Sequence, residues 1–346
     1  MQSKLQLALV AALAGVCLAA PVAAPSMPLP KGGVVAPKGP APIKISETMR
    51  LQLLLKQLVP AGSKGFYLKE VGGEVILADN ADFVFYPAST MKAQIHAAIM
   101  RKVELGQVKL TDTITVGSSQ KTVQAALEAM MVPSSNADSN ALIKLAGGIN
   151  ALNSLGAQLG MSSKSKFRHD YDTYGCPLTP REEKANTLTL RDAGRLWEAA
   201  HQGNIVKAPA YESFFEIAAD EPETLPKIRW VADQEAARLG KSAAAVNAFM
   251  ADVKLSGKGG WTFGADNTTY CLSEAGRVVI PARRGSSVAG AARGTRVFVF
   301  AGFGDFVSVQ QVEASRAAIG AGGQHIVDAI AAEMLRPYIA AALLTY

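Results

Sequence analysis

Ser89 and Lys92 stand three residues apart, after Tyr86-Pro87-Ala88 and ahead of an alanine-rich apolar run. If Ser89 opens a helix, one turn carries its hydroxyl and the Lys92 amine to the same face. The amine can then take the hydroxyl proton, while the helix N-terminus offsets the negative charge developing on the oxygen. Such a pair would do nucleophilic chemistry on an acyl carbon. Taken alone, a helix cap followed by a solvated lysine would account for the same residues.

Two later segments change the weight of that pair. Ser134-Ser135-Asn136 precedes the run Ala137-Asp138-Ser139-Asn140-Ala141-Leu142, which ends at Gly147-Gly148, and Val253-Lys254-Leu255-Ser256-Gly257 leads into Lys258-Gly259-Gly260. With Ser89-Thr90-Met91-Lys92 these segments resemble, in order, the S-D-N, K-T-G and S-x-x-K motifs of the serine β-lactamase and penicillin-binding protein superfamily. The likeness is greatest to its class A β-lactamase-like branch. It implies an α/β (α+β) fold: an antiparallel sheet flanked by helices, plus an all-helical lobe, with the active cleft at their junction.

By this resemblance Ser89 Oγ attacks an acyl carbonyl and carries the covalent intermediate, and Lys92 is its base if desolvation and neighbouring cations keep it neutral. Ser134 would relay a proton to the leaving nitrogen or oxygen, although either Ser134 or Ser135 could instead cap the helix beginning near Asn136. Asn136 would hold Lys92 or the substrate's amide. Asn140, four residues on, reads as a structural amide tying a loop to the core. Lys258 would attract a substrate carboxylate, with Lys254 as its rival if the strand register shifts. Gly260 and Trp261 follow Lys258, so the backbone N–H of Trp261 would join that of Ser89 as the oxyanion hole.

The chain also departs from the family's pattern. Ser135 stands in the aspartate position, and Gly259 removes the central hydroxyl of the third motif. The interval from Lys92 to Ser134 is short and lacks most of the loop whose aromatic residue walls the cleft in class A relatives. The stretch from Phe167 to Asn186 contains Asp170, Asp172, Glu182 and Glu183 but not the family's R-x-x-E-x-x-x-N arrangement. No deacylating residue can be assigned from it, and these charges read first as a solvated loop. His96, His169, His201 and His325 form no visible triad, and His96 reads as a core residue.

The elements that must position these groups follow from periodicity. A helix over 46–58 is followed by strands at 65–71 and 74–78 around Gly72-Gly73, a hairpin signal. The Ser89 helix should end near Gly106. Beyond a strand at 113–116, helices are expected at 121–131, 136–146, 149–158, 189–202 and 228–238, with a proline-containing stretch over 208–226. Strands return at 253–256, 268–272, 277–281 and 296–300, and a last helix covers 314–335 ahead of an apolar C-terminal segment. A sheet lobe from 45–88 and 246–346 and a helical lobe from 89–245 would act as one catalytic unit.

Composition narrows the setting. The 346 residues are 49% hydrophobic and 18% charged, enough for a well-buried globular protein with two core regions. Lys4, the apolar stretch from Leu5 to Ala20 and nearby alanines predict a signal peptide over residues 1–24. A membrane anchor and a lipoprotein signal at Cys17 are the competing readings, the second opposed by Val16. Residues 25–44, rich in proline and glycine, read as a flexible linker, so a secreted or periplasmic enzyme is expected, with no stable membrane span after processing. The net charge of +6 is spread along the chain rather than on a basic helix, which argues against nucleic acid. No cofactor and no metal are implied. A Cys176–Cys271 bridge is permitted by an oxidising compartment, with two buried thiols as the alternative.

The expected activity is hydrolysis of an amide or ester, with a β-lactam among the candidates, through an acyl-enzyme, with a small-molecule or peptide-like acyl substrate. D-alanyl carboxypeptidase or acyltransferase chemistry is the second reading. An envelope-binding protein with a degenerate site is the third.

Overall fold

The computed structural model describes residues 63–171, 184–207, 209–219, 224–263, 269–283, 294–308 and 326–346, with single positions at 49, 52, 53, 56, 292 and 310. The signal peptide, the linker, Cys176 and most of the 46–58 helix lie outside the described residues. Positions 49, 52, 53 and 56 are helical.

Segments far apart in sequence build one sheet. Strands β1 (Ser63–Glu70) and β2 (Val75–Asp79) form a hairpin whose turn uses Gly72 at a left-handed φ of 72°. Strands β5 (Lys254–Phe263), β6 (Thr269–Ile280) and β7 (Arg296–Ser308) come from the second half of the chain. The order is β2-β1-β7-β6-β5 with every neighbouring pair antiparallel, so β5 is an edge strand. This is the antiparallel sheet flanked by helices that the motifs implied.

Helix α1 (Lys92–Glu104) runs through the centre of the helical region and is buried from Lys92 to Met100. Helices α2 (Val123–Met131), α3 (Asn136–Ala146), α4 (Ile149–Gln158), α5 (Leu190–His201) and α6 (Ala210–Ile217) contribute to the core around it, through Leu127, Met130, Leu142, Leu152, Trp197 and Phe214. A second core joins α7 (Thr224–Leu239), α8 (Ala243–Asp252) and α9 (Ile326–Leu343) to the sheet through Val231, Phe249, Ile330 and Leu335 against Leu68, Val278 and Phe298. Each such side chain fully buried contributes about 1.5–3 kcal/mol of transfer free energy.

Several elements differ from expectation, each for a local reason. The helix expected from 121 begins at Val123, because 119–122 form β4 (Ser119–Thr122), a hairpin with β3 (Thr113–Val116) about Gly117. Thr122 then caps α2 by accepting from the Ala125 N–H. Helices α6 and α8 are not among the expected elements, α6 falling within the proline-containing stretch over 208–226. Aromatic packing of Phe214 and Phe215 holds α6, and Ser242 caps α8. Strand β5 continues through glycines that look like a turn, and β6 joins the two strands expected at 268–272 and 277–281. At both places glycine is required: a Cβ on Gly276 would stand 2.7 Å from the Ser256 carbonyl oxygen. The last helix is Ile326–Leu343, so the apolar C-terminal segment is helical. Residues 314–325 of the expected helix lie outside the described part.

Candidate active site

Ser89 does not open the α-helix itself. It lies in a 3-10 turn, Ala88–Met91, that feeds α1 at Lys92. Ala88 takes a left-handed φ of 45°, an unfavourable conformation for a residue with a Cβ, which persists only where its surroundings hold it. The restraints are visible. Ser273 on β6 donates from Oγ to the Pro87 carbonyl at 3.0 Å, and Thr90 Oγ1 donates to the Ser273 carbonyl at 3.0 Å. Gly260 on β5 lies so close to the turn that a Cβ would stand 2.6 Å from Pro87 O, Ser89 N and Thr90 N. The edge strand and the nucleophile turn therefore meet backbone to backbone, which only glycine permits. Among the described residues the Ser89 hydroxyl makes no hydrogen bond.

Lys92 is fully buried at the first position of α1. Its Nζ donates to Ser134 O at 2.5 Å, Ser134 Oγ at 3.2 Å and Asn136 Oδ1 at 2.8 Å. Ser134 offers both its oxygens because it sits at φ 62°, a second left-handed non-glycine residue in the site. Ser135 caps α3: it accepts from the Asp138 N–H at 3.3 Å and donates to Asp138 Oδ2 at 2.6 Å. The adjacent serines thus divide the two tasks the sequence left open, Ser135 capping and Ser134 facing the amine.

Burial, and secondarily the positive charge of Lys258, hold Lys92 far below an ordinary lysine, at about 7. Lys258 is itself buried, two residues before Gly260 on β5, whereas Lys254 is exposed at the start of the strand. Lys258 is therefore the strand lysine that acts on Lys92. Trp261 follows Gly260, with its side chain 48% exposed and packed edge-on to Phe263 and Tyr270.

Two residues join the site that sequence reasoning passed over or assigned to a loop. The Tyr171 ring centroid lies 4.6 Å from Lys92 Nζ, and the Tyr171 backbone N–H donates to Asn140 Oδ1 at 2.9 Å. Asn140 thus ties the loop to α3, as its structural reading held. Asn186 clamps the far end of that loop, its Oδ1 accepting from the N–H groups of Arg168 and His169 at 2.7 and 3.2 Å. Neither Tyr171 nor Asn186 carries a sequence motif of its own. Asp172, Glu182 and Glu183 lie outside the described residues. His96 is buried, shares a 2.9 Å hydrogen bond with the Phe214 carbonyl, and is pushed down to about 4 by that burial. It is a core residue, not a base for Ser89.

Chemically, this arrangement presents a hydroxyl without a hydrogen-bond partner among the described residues, one turn before a buried amine whose proton affinity burial lowers to about 7. The backbone of the strained turn, with the Ser89 and Thr90 nitrogens, lies against Gly260 of the edge strand. The arrangement can take a proton from an alcohol and stabilise an oxyanion.

Comparison with known proteins bears on the family and the fold. The model of a family described as the beta-lactamase enzyme family matches residues 50–229. No curated protein matches the chain. Among solved structures, a β-lactamase from Sphaerobacter thermophilus DSM 20745 is 19% identical, with 83% of this chain and 97% of that one covered and a TM-score of 0.58. A β-lactamase from Chitinophaga pinensis DSM 2588 is 16% identical, covering 85% and 98%, with a TM-score of 0.61. PBP-A is 20% identical, covering 78% and 93%, with a TM-score of 0.54. At these identities the structural likeness speaks for the fold alone.

Proposed function

The chain belongs to the β-lactamase enzyme family, within the serine β-lactamase and penicillin-binding protein superfamily, and from that premise we propose that it is an exported serine hydrolase. It forms an acyl-enzyme on Ser89 with an amide or ester, a β-lactam being one such substrate. The observation that carries this reading is the Lys92 amine: buried, held by Ser134 and Asn136, and brought to about 7 one turn from the hydroxyl.

Neutral Lys92 takes the Ser89 proton as Oγ bonds to the acyl carbon. The N–H groups of Ser89 and Trp261 receive the carbonyl oxygen as it gains charge. Ser134, already hydrogen-bonded to Lys92, passes the proton to the leaving nitrogen or oxygen. Lys258 attracts the substrate's carboxylate, with less help than a relative gains from the hydroxyl that Gly259 lacks. Water or another nucleophile then clears the ester.

Transfer or D-alanyl carboxypeptidase chemistry is the second reading, motivated by the lack of the family's R-x-x-E-x-x-x-N arrangement in the sequence of the 167–186 loop. A site without a water-activating carboxylate there would clear its acyl group slowly unless another nucleophile accepted it.

Intact-mass measurement after exposure to a reactive β-lactam and to an activated aryl ester tests the proposal. Wild type gains the mass of the acyl group, while Ser89→Ala gains none and Lys92→Ala labels far more slowly though folded. Failure of every probe to add mass, with ligand still bound, would point to a binding protein instead.

A further inference from the structure

We infer that Asp305 is a positioning residue for the nucleophile: through the Tyr86 amide, its buried carboxyl fixes the strained turn that presents Ser89. This rests on the acyl-enzyme reading for its kinetic consequence, but not for its structural one.

The turn at Pro87–Thr90 is held by Ser273 from β6 and by the close approach of Gly260 from β5. Neither acts on the chain before Pro87. There Phe85 is bridged to Leu188 by backbone hydrogen bonds of 3.0 and 3.2 Å, and Tyr86, the last residue before Pro87, is held by Asp305 on β7, whose Oδ2 accepts its N–H at 3.2 Å. Asp305 is fully buried, and Tyr86 lies three residues before Ser89. Between them is Ala88, whose left-handed backbone would relax if its entry were released. The Tyr86 ring packs with Ala185 and Cys271, and Ala88 packs against that group. Residues preceding and following the strained alanine are thus fixed by different strands.

The carboxyl is kept for a purpose other than stability. The groups that face it are the Cys271 thiol on β6, which donates to it, the Tyr86 segment, and Ser63 opposite it on β1. No lysine or arginine among the described residues offsets its charge. Burial pushes the carboxyl up to about 7, against the smaller opposing pull of the Tyr86 N–H and the Cys271 thiol. Cys271 reaches it from the irregularity in the β6–β7 register between Tyr270 and Leu272, a place where a bulge re-aims a side chain. A buried acid without a basic partner is costly, and an apolar residue would pack there without that cost. What only an acceptor supplies is the bond to Tyr86, and the ionised form makes the stronger one.

The test compares Asp305→Ala, which removes the acceptor, with Asp305→Asn, which keeps one but cannot ionise. Labelling of Ser89 by the activated aryl ester gives the acylation rate constant and the probe's dissociation constant separately. Amide hydrogen exchange over residues 85–90 reports the turn without reference to activity. Asp305→Ala is expected to acylate at least tenfold more slowly at saturating probe, with probe binding within about twofold of wild type and faster exchange over 85–90. Asp305→Asn should recover to within about threefold near pH 8. Below pH 7 wild type should lose that same remainder, up to about threefold, as Asp305 takes up its proton, whereas Asp305→Asn, already neutral, should follow Lys92 alone. Wild-type labelling and exchange in Asp305→Ala, an Asp305→Asn as slow as Asp305→Ala, or superimposable pH profiles would each overturn the inference. If Asp305→Ala does not fold, the Asp305→Asn profile decides. If wild type itself does not label, the acyl-enzyme reading fails, and the exchange of residues 85–90 still decides the anchoring.

Discussion

Replacing Lys92 by methionine should change the stability of the protein by an amount that depends on pH, and most in the variant's favour at low pH. Methionine keeps an unbranched stem of similar length and removes the ammonium. In the folded chain, burial and the Lys258 charge bring the amine from 10.5 to about 7. In the unfolded chain it holds its proton to about 10.4. Between those values the unfolded state binds the extra proton, so wild-type stability rises with pH through the window and is lowest below pH 7. The slope is about 1.4 kcal/mol per pH unit and the full span about 5 kcal/mol. Lys92→Met lacks this slope. Its stability relative to wild type should therefore fall by about 3 kcal/mol between about pH 6 and pH 9. Leaving Ser134 O and Asn136 Oδ1 without their donor costs about 1–3 kcal/mol per acceptor, but at every pH, so it shifts the difference without changing its slope. Paired urea unfolding curves at several pH values, followed by tryptophan fluorescence, measure that slope directly. A difference constant to within about 1 kcal/mol across the range would show that Lys92 is an ordinary charged lysine. Its role as proton acceptor would fall with that result.

Gly260→Ala should abolish Ser89 labelling and cost about 1–3 kcal/mol, because the new methyl would meet three backbone atoms of the nucleophile turn; unchanged melting and labelling would refute that close approach. His96 is held at about 4 against an ordinary 6.5, so the unfolded chain takes up the proton first as pH falls. Stability should drop by about 3 kcal/mol between pH 6.5 and 4 and be flat above, and His96→Leu should remove this component in acid-unfolding curves. Ser135→Ala should cost about 1 kcal/mol through the lost α3 cap while leaving the Lys92 contacts in place, read as a lower urea midpoint with near-normal labelling. Asn140→Ala should speed amide exchange at Tyr171, whose backbone N–H loses its acceptor, and an unchanged exchange rate there would show that the loop is held by other means.

The candidate site residues were legible in the sequence because the chemistry proposed for them depends on residue type and short spacing. A serine and a lysine one helical turn apart, a second serine before a helix, and a lysine-glycine-glycine run on a strand are all local patterns. So were the strands β1, β2 and β7 and the helices α1, α3, α4 and α5, whose apolar periodicity is strong. Short or atypical elements were not. Helix α6 depends on packing of Phe214 and Phe215, and β5 runs through glycines that read as a turn until the chain it touches is known. Tyr171 and Asp305 gave no signal at all, since each matters through a partner far away in sequence, Lys92 and Tyr86.

By itself the order of residues determined which atoms could react and which family they resemble, since nucleophile, amine and cap are properties of neighbouring side chains. Only the folded chain decided which of two serines faces Lys92, and which of two lysines lies close enough to lower its proton affinity. Those outcomes depend on a left-handed backbone at Ser134 and on an edge strand pressed against the turn at Gly260, where desolvation and distance are set by segments that meet only in three dimensions.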